Sequence, residues 1–319
     1  MNQILPLLVA LTMMTSCNNP AIKSAPEAEN TSTAQEFKIS LAQWSINRLV
    51  FTGQADPMDF AATAKDLGYT GLEYVSQLYV SDQVNYPMKD QGLDSILKVL
   101  KQRSDALGMQ NVLIMVDGEG DLSENDESVS QQAVENHKKW VDAAAFLGCK
   151  AIRVNLFGAA DRQEWAANSI RSLAALSTYA AEQNISILVE NHGGHSSDAK
   201  LLVQVMEGVG MANCGTLVDF GNFCMRREND ARWSAPCVEE YDRYLGIEEL
   251  MPYAQGVSAK SYAFDANGEE TSMDFSKILG LVKDSGFSGF IGVEFEGQVE
   301  DPLPGMLATK TLIEKTLAL

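Results

Sequence analysis

Positive charge is scarce in this chain. Its 319 residues include 24 Lys and Arg against 43 Asp and Glu, a formal charge of −19, and the acids are spread along the sequence without forming a tail. Such a surface repels phosphate backbones and anionic headgroups, so no nucleic-acid partner is expected. Histidine is rarer still, at three, too few for a trinuclear imidazole site. The five cysteines form no CxxC pair and no Cys/His cluster, so no structural zinc site is expected. The apolar run at the start, Met1 to Ser16, is shorter than the ~20 residues a membrane-spanning helix needs.

That run has small residues just before Cys17 and reads as an export signal. Thr15-Ser16-Cys17 resembles a bacterial lipobox, in which the cysteine becomes the lipidated first residue, although the segment lacks the usual Lys or Arg. Residues 18–36, rich in Asn, Ser, Thr, Ala, Pro and Glu, have the composition of a flexible tether. The expected product is an exported lipoprotein, held to the membrane only through a lipid at Cys17 and facing the periplasm or the cell surface. The remaining 37–319, within a chain 45% hydrophobic and 21% charged, suffice for one large core.

From there on, one junction recurs. An amphipathic stretch ends in a turn residue, usually Gly, and a β-rich run follows: Leu67-Gly68 before 70–75, Leu107-Gly108 before 112–116, Leu147-Gly148 before 151–155. Gln183-Asn184 precedes 185–189, Val209-Gly210 precedes 216–219 and Ser285-Gly286 precedes 290–294. With strands at 38–44 and 256–260 the count reaches eight. Strands alternating with helices imply a parallel sheet with helices outside, and eight of them predict a single closed (β/α)8 TIM barrel.

Four of the later runs end on an ionisable residue: Glu190, Asp219, Lys260 and Glu294. At the carboxyl ends of parallel barrel strands such residues converge on one mouth. Glu190 is followed by Asn191-His192-Gly193-Gly194-His195, and a carboxylate at i with an imidazole at i+2 share a side of an extended chain. Glu294 and Glu296 likewise alternate onto one face, where like charges are costly unless a cation or proton is shared. A divalent cation such as Mn or Mg would relieve Glu190, Asp219 and Glu294 together. Lys260 would neutralise the same cluster without metal. Arg153 and Asn155 suit either substrate hydrogen bonds or a plain salt bridge, and Asn222 is a further substrate-binding candidate. Cys224 and Cys237 flank one polar stretch and are expected to close it as a disulfide in an oxidising compartment; Cys149 and Cys214 read as buried thiols.

Val189-Glu190-Asn191-His192-Gly193-Gly194, Val218-Asp219-Phe220-Gly221-Asn222 and Gly292-Val293-Glu294-Phe295-Glu296-Gly297 together resemble the xylose-isomerase-like barrels, the superfamily of sugar phosphate isomerases and epimerases, ketose 3-epimerases and inosose dehydratases. In the epimerases a Glu, an Asp, a His and a Glu from strands five to eight hold one divalent metal, and the two Glu move protons. The resemblance assigns Glu190, Asp219 and Glu294 as metal ligands, Glu190 and Glu294 as proton carriers, and His192 and Lys260 as shuttles to the sugar oxygens. The chain departs from the pattern at the histidine, which is Ser258 here. The implied function is a sugar isomerase or epimerase acting on a free or oxidised carbohydrate by proton abstraction beside a carbonyl. A lyase or hydrolase of 3-keto-glycosides, starting with the same abstraction, and a non-catalytic sugar-binding lipoprotein remain alternatives.

Overall fold

The computed structural model describes residues 35–319 together with Met1. The apolar leader, the lipidation candidate Cys17 and most of the tether lie outside the described residues. Among those described, no helix is long and apolar enough to cross a membrane.

Eight strands close into a barrel: β1 (Phe37–Ala42), β2 (Gly71–Val75), β3 (Gln110–Met115), β4 (Ala151–Val154), β5 (Ser186–Glu190), β6 (Cys214–Asp219), β9 (Ala254–Ser261) and β10 (Gly289–Phe295). Every neighbouring pair is parallel, and β10 returns to pair with β1. The ring is therefore the barrel that the helix-to-strand junctions predict. The first strand stops at Ala42, earlier than its apolar run suggests, because Gln43–Ile46 winds into a 3₁₀ turn. Gln35 and Glu36, assigned to the tether by composition, are fastened to the barrel: the Gln35 amide donates to the Lys283 and Phe287 carbonyls, and the Glu36 N–H to Ser288 Oγ.

The intervening helices lie outside the ring and bury one stripe each. In the helix Phe275–Asp284 the buried residues are Phe275, Ile278, Leu279 and Val282, the i, i+3, i+4, i+7 spacing of one face. Asp274 caps its start, accepting from the Lys277 N–H. The helix Glu127–Leu147 begins in the same way on Asp126 and ends on Gly148, whose φ of 84° is a left-handed cap that a side chain resists. The third histidine, His137, is buried on this helix with Nδ1 against the Ala133 carbonyl and belongs to the core.

Between β6 and β9 the chain makes an excursion that the strand pattern does not announce. Cys224–Arg227 (β7) and Cys237–Glu240 (β8) form an antiparallel hairpin, bonded Cys224 to Cys237 as a disulfide. Cys149 and Cys214 are free and buried.

Candidate active site

Register places the site. β9 and β10 run parallel with Ser258 beside Gly292 and Lys260 beside Glu294, while Ser258 also pairs with Asp219 on β6. Alternate residues of a strand face the same side. Ser258 and Lys260 therefore rise as two steps within the barrel, next to Asp219 on one side and Glu294 on the other.

Glu190, Asp219 and Glu294 converge, each offering an oxygen within 4.8 Å of the other two, and all three are buried. Two cations share the space. Arg153 Nε lies 2.9 Å from Glu190 Oε2, and Lys260 Nζ lies 3.1 Å from Glu294 Oε2, 3.7 Å from Asp219 Oδ2 and 3.6 Å from Glu296 Oε1. Arg153, a candidate from sequence for a substrate contact or a salt bridge, takes part in the charge balance of the floor: its guanidinium also donates from Nη1 to Asp117 Oδ1 at 2.8 Å.

Burial dominates the protonation of this floor. It lifts Glu190 to about 8, against the pull of Arg153 and with the help of Glu294. It lifts Glu294 to about 7, against Lys260 and with the repulsion of Glu296 and Asp219. Asp219 also moves upward through burial, restrained by Lys260 and Ser258. For Lys260 burial opposes the charge, but Asp219, Glu294 and Glu296 outweigh it and hold the ammonium on. Near neutral pH the floor therefore keeps both cations and holds at least one proton on its carboxyl groups.

One layer deeper sits Glu73, on β2. Its Oε1 accepts from Ser40 Oγ at 2.6 Å, Oε2 has no partner, and burial raises it to about 7. The room for it comes from Gly292, where a Cβ would meet both Glu73 carboxylate oxygens at 2.5 Å.

Above the floor a polar chain fixes one tautomer. A carboxylate only accepts, so Asn155 turns Nδ2 towards Asp117 Oδ1, at 2.6 Å, and presents Oδ1 to His192 Nδ1, at 2.7 Å. The Nδ1 proton of His192 then donates to Asn155, leaving Nε2 as the basic nitrogen. Burial, with Arg153 and Lys260, keeps this imidazole neutral. Asn222 Nδ2 donates to Glu190 Oε1 at 3.0 Å, and Trp44 Nε1 to Glu296 Oε1 at 2.7 Å. The neighbouring Asn191 braces the strand ends, donating to the Asp219 carbonyl and accepting the Asp219 N–H. The structure thus brings together Arg153, Asn155, Glu190, His192, Asp219, Asn222, Lys260, Glu294 and Glu296. His195 is not among them, since its Nε2 turns outward to the Ala160 carbonyl.

Of these groups Arg153, Asn155, His192, Asn222, Lys260, Glu294 and Glu296 line a cavity of about 1010 Å³ at the carboxyl end of the strands, and Glu190 and Asp219 lie behind them against Arg153 and Lys260. Its upper wall is the hairpin, which contributes Arg227, Arg232 and Trp233. Glu73 and these hairpin residues carry no strand-end signal in the sequence, whereas Asp117, directly after the apolar run 112–116 and before Gly118, carries the same signal as Asp219 and is overlooked.

The profile of the xylose isomerase-like TIM barrel family matches residues 61–315. The chain belongs to that family. No curated protein is similar enough to match. Among solved structures, an L-ribulose 3-epimerase superposes with a TM-score of 0.65 at 15% identity, over 88% of this chain and 94% of its own. The 3-keto-D-glucoside 4-epimerase YcjR from E. coli, in its apo form, gives 0.63 at 12% over 88% and 99%. An IolI protein with a bound zinc atom gives 0.64 at 13% over 88% and 98%. At such identities the fold is what is shared.

The zinc of that neighbour raises the question of an ion here. Three hard oxygens converge, as a divalent cation requires, but most of their lone pairs are spoken for. Asp219 Oδ1 accepts the Gly221 and Asn222 N–H groups, and its Oδ2 accepts from Ser258 Oγ at 2.7 Å. Ser258 stands where the resemblance expects an imidazole ligand, and it donates to two of the three acids. The Lys260 ammonium already touches two of them, and a second, doubly charged cation beside it would meet strong repulsion. The residues present therefore fit an ammonium and a guanidinium better than a metal ion.

Proposed function

We propose that the protein is a sugar epimerase or isomerase that moves a proton at a carbon beside a carbonyl. The observation that carries this reading is the pair Glu190 and Glu294: two buried carboxyl groups facing one space, each beside its own fixed cation. A deprotonated member of the pair takes the proton from the carbon, and the carbonyl oxygen gains the electron pair as an enolate. The protonated member then returns a proton to the opposite face of the same carbon or, in an isomerisation, to its neighbour. Arg153 and Lys260 stabilise the enolate charge as it develops, in a site where water is scarce. His192, through Nε2, accepts and returns hydroxyl protons of the sugar.

The fold neighbours that act on a ribulose and on a 3-keto-glucoside support a ketose or keto-glycoside as the substrate class. Glu190, Asp219 and Glu294 are the residues that would hold a divalent ion, which would polarise the carbonyl. The donor set described above leads us to assign that task to Lys260 and Arg153, and no step here runs through a metal. Elimination from a 3-keto-glycoside would begin with the same abstraction, and its products alone tell it apart. From the leader and Cys17 we further propose export and a lipid anchor, with the substrate met outside the cytoplasm.

The test is solvent exchange. In D₂O the protein should place deuterium at the carbon next to the carbonyl of methyl 3-keto-β-D-glucopyranoside or of a ketose, and Glu190→Gln and Glu294→Gln should each slow this by roughly 10²–10⁴-fold. Sugar binding without exchange in the wild type would make the protein a carbohydrate-binding lipoprotein instead.

A further inference from the structure

The cavity is larger than one sugar ring requires, and the disulfide hairpin contributes Arg227, Arg232, Trp233 and Ser234 to its wall. Trp233, between β7 and β8, packs beside the site: its ring centroid lies 5.0 Å from that of His192, tilted by 48°, and 5.7 Å from that of Phe157, edge to face. The Arg232 guanidinium stands 4.6 Å over the Phe157 ring. Despite these contacts 44% of Trp233 stays exposed, and it borders the same cavity as Lys260 and Glu294. A large indole held by the rings of His192 and Phe157, yet open to the cavity, presents an apolar plate beside Arg227 and Ser234. Pyranose rings have apolar C–H faces with hydroxyls at the rim, and that plate matches them. The volume of about 1010 Å³ reaches the top of the ~300–1,000 Å³ range that encloses drug-sized ligands.

We infer that the hairpin forms a second subsite and that the substrate is a glycoside: the reacting ring sits over the floor beside Lys260 and Glu294, and the aglycone ring stacks on Trp233. This rests on the reading that the floor takes a sugar. It adds that a single free monosaccharide leaves the hairpin wall unfilled. The disulfide fixes where the plate stands. Its Cα atoms are 5.8 Å apart at the base of the hairpin, so the loop carrying Arg232 and Trp233 is closed at both ends.

Equilibrium binding to the full chain, without turnover, tests it. Cellobiose and maltose are compared with the methyl α- and β-D-glucopyranosides by calorimetry. At least one disaccharide should bind about tenfold tighter than its one-ring counterpart, the worth of one good stacking contact. Trp233→Ala should erase that preference, lowering disaccharide affinity about tenfold more than methyl glucoside affinity, and Trp233→Phe should keep part of it. Cys224→Ser/Cys237→Ser, which frees the hairpin while keeping Trp233, should reduce the preference as well. Equal affinity for one and two rings, no binding of either, or a Trp233→Ala variant that loses both alike would overturn the proposal. The deuterium exchange described above is read separately. Exchange on a methyl keto-glucoside without any ring preference removes the subsite and keeps the reaction, whereas ring preference without exchange does the reverse.

Discussion

Replacing Lys260 by Met separates an ammonium-centred floor from a metal-centred one. Lys260 is 2% exposed and lies within 3.7 Å of both Asp219 and Glu294. Losing one partner of a buried ion pair costs about 3–5 kcal/mol when the other charge stays ionised. Here the acids have an escape, since they can take up protons. Glu294 already titrates at about 7 in the folded protein, above its ordinary 4.5. A carboxyl raised on folding contributes stability that is complete below the unfolded pKa and is lost as pH rises through the folded one. Without the ammonium, Glu294 and Asp219 rise further, so more stability is lost on the alkaline side. The deficit of Lys260→Met relative to wild type should therefore be small near pH 5 and reach about 3–5 kcal/mol by pH 9, or roughly 6–10 °C in Tm at roughly 2 °C per kcal/mol. The vacated space also favours a divalent ion. At a hundredfold excess over its Kd, Mn²⁺ should restore about 2.7 kcal/mol to the variant and little to the wild type. Thermal unfolding at pH 5, 7 and 9, with and without Mn²⁺, reads both effects. A deficit equal at all three values, or a wild type stabilised by Mn²⁺ as much as the variant, would refute the assignment of the cation role to Lys260.

Three further outcomes are expected. The pH profile of deuterium exchange should be bell-shaped with limbs near about 7 and about 8, belonging to the Glu190–Glu294 pair as a unit: below the lower limb the base is protonated, above the upper the acid is lost. Gly292→Ala drives a methyl into the Glu73 carboxylate and should destabilise by about 1–3 kcal/mol, while Gly292→Ala/Glu73→Ala should recover most of that in denaturant unfolding. Full-length protein expressed in a bacterial host should take up radiolabelled palmitate and sediment with membranes, and Cys17→Ala should end both.

The barrel is readable in the sequence because each of its units repeats the same local signals. A left-handed turn residue, Gly148 or Asn184 for example, both with positive φ, is followed at once by an apolar run. The acids at the mouth are legible for the same reason, since Glu190, Asp219 and Glu294 each interrupt such a run near its end. Glu73 escapes because it lies inside Gly71–Val75 with apolar residues on both sides, and its depth is set by the absent side chain of Gly292. Asp117, by contrast, ends the apolar run 112–116 before Gly118 and is legible by the same signal; its partners Arg153 and Asn155 come to it only on folding. The hairpin escapes for a different reason: β8 is exposed along its whole length and needs no apolar alternation, so its polar residues read as loop. His195, next to His192 in sequence, is turned away from the mouth by the 3₁₀ turn Gly194–Ser197.

A ring has no first strand, but a ribosome makes one. β1 pairs with β10 from Phe37 against Gly289 to Leu41 against Val293, so this seam joins the two ends of the barrel sequence and cannot form until nearly the whole chain has emerged. Until then β1 has only β2 beside it, and contacts of such long separation form slowly. The closing strand is also the one that carries Glu294. A nascent or truncated chain can assemble Glu190 and Asp219 but never their counterpart, so the site is completed in the same event that removes the last open edge. Synthesis order thereby acts as a safeguard: no partly built copy of this protein holds all three acids together.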